Sequence, residues 1–149
     1  MVTGLKAFGL VQHEIQSARS RILKNLEEGE NLLNRMKGRP PGTEKDLLRM
    51  RWFYVAQQES LGKPAEKLQS ILAEDQFVYM WNYSLVLLSN FSQQFRSGPA
   101  AAKAEVFHKP LAAADKARTL YIQGKIDDAA ILVTGIVNEL SVRGPLERP

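Results

Sequence analysis

Six cations crowd into seventeen residues of this chain: Arg35, Lys37, Arg39, Lys45, Arg49 and Arg51, against only Glu44 and Asp46. Groups of this kind can grip phosphates without reading base sequence, or they can meet an acidic protein surface. A solvated tip between two helices explains the same run without any partner. The charge is focused rather than spread. Residues 1–67 carry 12 Lys/Arg and 8 Asp/Glu, residues 68–149 carry 8 of each, and the whole chain is +4. The net excess thus equals that of this one window. Cations in the first turn of a helix oppose its dipole at a cost of a few tenths of a kcal/mol. The six residues therefore read as a candidate partner- or phosphate-binding set rather than as a device for folding.

Other chemistry is sparse. His13 and His108 lie far apart, and positions 16, 17, 111 and 112 hold Gln, Ser, Leu and Ala, so neither histidine has a ligand at i+3 or i+4. The acidic clusters "EEGE" (27–30) and "DD" (127–128) serve helix solvation and dipole pairing, and no Glu-x-x-His motif accompanies them. The chain has no cysteine, which removes disulfides, cysteine zinc sites and thiol nucleophiles. No serine or threonine sits in a glycine-framed nucleophile turn. "SLGKPAE" (60–66) lacks both the second glycine and the hydroxyl of a phosphate loop. The aromatic groups Trp52, Phe53, Tyr54 and Phe77, Tyr79, Trp81, Tyr83 could stack on bases, but helical spacing sends most of them to a core. The expectation is a protein without catalytic residues, cofactor or metal.

The elements that carry these residues are helical nearly throughout. Phe8, Val11, Ile15, Ala18, Ile22 and Leu26 recur at steps of three and four, and Leu33 and Met36 resume the row after Gly29. This predicts a long first helix over about 4–37 whose narrow stripe suits packing along another helix. Val11, Ile15, Ala18 and Ile22 form a candidate oligomer seam, able to pair with a second copy or with the second helix. Gly29 marks a bend or the close approach of a neighbour. Gly38 suits the left-handed cap of the first helix, and Pro40-Pro41 forbid its continuation. Thr43 is then the expected cap of the second helix, with Asp46 returning the bond. That helix carries Leu47, Leu48, Met50, Trp52, Tyr54 and Val55, a stripe wide enough for more than one neighbour.

Pro64 opens a third helix reaching about 95, with a break expected near "AEDQ" (73–76); its second half is apolar on most sides and belongs at the centre. The fourth segment, about 99–123, contains Pro110, which should kink or split it. The fifth, about 126–141, has Asp127 and Asp128 in its first turn. No segment alternates as a strand would. The chain is read as an all-α, single-domain bundle of about five helices over 1–142 with a frayed tail at 143–149, and short connections make consecutive helices antiparallel. The most apolar run, 77–91, is 15 residues long, short of the ~20 a membrane span needs. The N-terminus does not resemble a signal peptide, and a cytoplasmic or otherwise intracellular location is expected.

"YIQGKIDDAAILVTGIVNEL" (121–140) resembles the second half of a tetratricopeptide repeat: Gly124 closes one helix, Ile126 follows two positions later, then Asp127, Asp128 and the small Ala129, with Ala117 one helix earlier. The resemblance covers about 35 residues, and it implies TPR-like hairpins that hold a peptide or partner helix in a groove. Together these readings favour a non-enzymatic helical interaction module, adaptor- or chaperone-like, with a protein partner. A nucleic-acid-binding protein using the 35–51 tip and a helical-bundle sensor for a small ligand are the alternatives, and homo-oligomerisation is expected through the first helix.

Overall fold

The computed structural model describes residues 2–38, 42–58, 64–96 and 105–143, which form five α-helices and no strand. They are α1 (Val2–Lys37), α2 (Thr43–Gln58), α3 (Pro64–Arg96), α4 (Glu105–Ile122) and α5 (Ile126–Arg143). Arg39 and residues 144–149, nearly all of the expected tail, lie outside the described residues.

The narrow stripe of α1 packs along α3. Ile15, Ala18, Ile22, Leu26 and Leu33 are buried, and α3 answers with Ile71, Val78, Trp81, Leu85 and Leu88. Arg21 pairs with Asp75 at 3.0 Å, and Asn82 reaches Asn25 and Glu28 further along. Residue numbers rise together, so α1 and α3 run parallel. The expected seam is therefore corrected: Ile15, Ala18 and Ile22 are fully buried inside one chain, with Val11 packed at the edge. Their partner is neither a second copy nor α2 but α3. A stripe specifies that a helix must cover it, and not which one.

Gly29 lies where α1 and α3 come closest. A Cβ there would stand 2.3 Å from Cζ3 of Trp81, far inside van der Waals contact with the indole. Glycine thus lets the Cζ3 side of the ring approach the α1 backbone, while Trp81 Nε1–H donates to the Ala114 carbonyl of α4 at 3.1 Å. Phe77 stacks on Tyr121 of α4 with ring centroids 5.3 Å apart. Pairs 81–114 and 77–121 make α3 and α4 antiparallel. Lys45 with Glu27 and Arg19 with Trp52 do the same for α1 and α2. Consecutive helices alternate in direction as short connections require, and the buried apolar residues of all five form one cluster.

The turns follow their glycines. Gly38 ends α1 at φ 70° and Gly124 ends α4 at φ 86°. Gly124 N–H donates to the Tyr121 carbonyl and Lys125 N–H to that of Leu120, the paired bonds of a Schellman cap. Three local expectations change. Gly42 rather than Thr43 flanks α2, its carbonyl accepting from Lys45 N–H at 2.9 Å. α3 runs unbroken through 73–76, where Glu74 and Asp75 are held by partners on neighbouring helices. α4 continues through Pro110. That helix starts at Glu105, so the proline sits little more than a turn from its beginning and forfeits few backbone bonds.

Candidate functional site

α2 is the least embedded helix. It lies against α1 and α4, and it meets α3 through the side chain of Arg51. One side is turned inward by Leu48, with Trp52 and Val55 partly buried. The other side carries Leu47, Met50, Phe53 and Tyr54, which are 42, 66, 63 and 60 % exposed. At 100° per residue these four span about a third of the helix circumference. The wide stripe thus has two halves, and one half has no cover within the described residues. Arg49, Met50, Phe53 and Tyr54 line a shallow depression on it.

Charge pairs attach the inner side. Arg118 of α4 is buried and meets three carboxylates: Glu30 at 2.8 Å, Asp115 at 2.9 Å and Glu44 in the first turn of α2. Asp115 also holds Lys37. Glu27 receives Lys45 at 3.1 Å and Arg49 at 3.7 Å. Arg51 reaches Glu74 at 3.5 Å and lies 4.7 Å from the centroid of the Tyr121 ring, whose hydroxyl donates to the same Glu74 carboxylate. Burial, and next the Glu74 charge, hold the Tyr121 hydroxyl well above its usual range. Burial likewise raises Glu30, against the opposing pull of Arg118.

These pairs account for most of the basic window. Lys37, Lys45, Arg49 and Arg51 each have a carboxylate of a neighbouring helix, while Arg35 is exposed and bonds the Asn31 carbonyl of its own helix at 3.4 Å. Arg39 lies outside the described residues. The sequence expectation gave these cations no role in folding; four of them tie helices together. Its omissions are their partners Glu27, Glu74 and Asp115, and the buried pair of Glu30 with Arg118. A signal for three of these was present. Glu30 falls between Leu26 and Leu33, Glu74 between Ile71 and Val78, and Arg118 between Ala114 and Tyr121, each at helical spacing on an otherwise buried stripe. A charge on such a stripe needs a buried partner.

Between α1 and α2 lies a cavity of about 220 Å³, walled by Leu23, Leu26, Leu48 and Trp52. Glu27, Glu30, Lys45 and Arg49 complete its lining. Arg118 takes Oε2 of Glu30, and the buried Oε1 has no hydrogen-bond partner among the described residues. His13 and His108 are both exposed. No group of three or more His, Asp or Glu among the described residues could hold a metal ion, and no helix there is long and apolar enough to cross a membrane. Set against family models, curated proteins and solved structures, the chain has no match.

Proposed function

We propose that this chain is a non-enzymatic helical interaction module, adaptor- or chaperone-like, that takes an amphipathic segment of a protein partner on the outer face of α2. The observation that carries this reading is the exposed row Leu47, Met50, Phe53 and Tyr54 on a helix whose opposite side already fills the core. Apolar rows of this kind are what helix-in-groove recognition uses. Arg49, with 57 % of its side chain exposed beside the depression, favours a partner segment bearing a carboxylate. An intracellular setting accords with the lack of cysteine. Self-association extends the same reading: Leu72, Tyr79, Tyr83 and Val86 leave an exposed stripe on α3, at the seven-, four- and three-residue steps of a helix-pairing seam. Phosphate binding by the 35–51 window draws less support, because Glu27, Glu74 and Asp115 compete for its cations.

The test is capture from native lysate, then reconstitution with each purified partner. Met50→Asp with Phe53→Asp should leave stability within about 0.5 kcal/mol, as exposed substitutions do, and abolish binding. If that variant binds normally while Lys45→Gln with Arg49→Gln does not, the α2 row is not the docking face. Retardation of random duplex DNA or RNA that weakens steeply with salt would favour the nucleic-acid reading instead.

A further inference from the structure

The outer face of α3 is exposed and carries no charge. Leu72, Tyr79, Tyr83 and Val86 lie on it, and Gln69, Gln76 and Asn90 complete the row at alternating steps of three and four. From residue 76 to residue 95 the sequence holds no Asp, Glu, Lys or Arg at all. A solvated helix face ordinarily carries charged groups, as the outer side of α1 does with Glu14, Arg21, Glu28 and Arg35. An uncharged seam of this spacing suits another helix, and two patterns name that helix.

The first pattern is the seam itself, which reads alike in both directions from Tyr79. Gln76 and Tyr83, three and four residues away, can each donate and accept a hydrogen bond. Leu72 and Val86, seven away, are aliphatic, and Gln69 and Asn90, ten and eleven away, are amides. The second pattern is the charged row of α1. Arg21 bonds Asp75 and Glu28 accepts from Asn82, so α1 flanks the seam, and the midpoint between Lys24 and Asn25 lies level with residues 78–79. About that level the row Glu14, Arg21, Glu28, Arg35 is antisymmetric: turned end for end, each cation meets a carboxylate. A two-fold axis lying across α3 performs this turn and keeps both α1 helices on one side of the pair.

We infer that α3 is the interface of a two-fold homodimer, crossing antiparallel to α3 of a second copy at Tyr79, with Glu14 and Arg21 of each α1 opposite Arg35 and Glu28 of the other. This rests on the self-association reading of the α3 stripe and is independent of the α2 row.

The chain has no cysteine, so single cysteines in the full chain report the geometry under mild oxidation. Tyr79→Cys should cross-link to its own copy. Leu72→Cys alone should not, because crossing at Tyr79 sets the two copies of residue 72 about 21 Å apart along the axis, beyond the ~7 Å reach of a disulfide. Mixed with Val86→Cys, it should cross-link. In sedimentation the native chain should be a dimer at high micromolar concentration. Glu14→Arg should weaken the dimer about fivefold at low salt, since two exposed pairs are lost, and adding Arg35→Glu should restore it. Met50→Asp with Phe53→Asp should leave the dimer intact, so dimerisation and partner binding on α2 can fail separately. The inference is overturned if the native chain is a monomer at that concentration, or if Leu72→Cys alone cross-links as readily as Tyr79→Cys. It is overturned also if Arg35→Glu restores nothing, or if the α2 variant loses the dimer.

Discussion

Glu30 shows how a single residue can be costly and still positioned with care. Its carboxyl is raised above its ordinary 4.5, first because burial disfavours the charge, and Arg118 only partly offsets this. The sign of the stability effect follows. With the folded value above the unfolded one, the stabilising contribution is fully present below the unfolded value and is lost as pH rises through the folded value. Glu30→Gln removes that dependence while keeping an oxygen for Arg118. Urea unfolding from about pH 4 to about pH 8 should therefore show the variant gaining on the native chain as pH rises. A variant that instead falls further behind the native chain as pH rises would mean that the Arg118 pair outweighs burial. Gly29 illustrates the same residue-scale logic in a steric form: its local sequence announced a bend or a close neighbour, and Trp81 is the neighbour. The identity of that neighbour was not legible, because nothing in "EEGEN" encodes a residue some fifty positions later.

At the scale of the element, α2 differs in kind from α1 and α3. Those two are joined by a continuous apolar row, whereas α2 contributes Leu48 to the buried core and depends otherwise on partly buried side chains and ion pairs. The pairs of Glu27 with Lys45 and Arg49 are about half exposed, and such pairs contribute about 0–1 kcal/mol each and weaken with salt. Opening of α2 should therefore require less free energy than opening of α3. Hydrogen exchange is expected to show faster exchange over residues 43–58 than over 71–91. Lys45→Gln with Arg49→Gln should accelerate the first range further and leave the second unchanged. Equal acceleration of both would make α2 part of the same cooperative unit as α3. Helix existence, the Gly38 and Gly124 ends and the two-sided stripe of α2 were all legible in the sequence, since they are local. The unbroken passage through 73–76 was not, because Glu74 and Asp75 look like solvated loop residues until Arg51, Tyr121 and Arg21 arrive from other helices. The same holds for the basic window, whose partners lie on α1, α3 and α4.

For the whole molecule, the parallel pairing of α1 with α3 decides which apolar surface is left for others. The row Ile15, Ala18, Ile22 is spent inside the chain, and the exposed remainder includes the outer face of α2 and the α3 stripe at Leu72, Tyr79, Tyr83 and Val86. Two substitutions separate core from interface. Ile15→Asp places a carboxylate at a position with no exposure, where burial of an unpaired charge and loss of packing together exceed about 4 kcal/mol. That is a large share of the roughly 5–15 kcal/mol that holds a typical domain together, so the variant should be unfolded or nearly so by circular dichroism. Tyr83→Asp, at a 43 % exposed position, should keep the fold. If the native chain associates through α3, this variant should sediment as a monomer at concentrations where the native chain does not. The opposite pattern, a fully folded Ile15→Asp monomer beside a native assembly that Tyr83→Asp leaves intact, would return the seam to α1 and remove α3 from its role as the partner of that stripe.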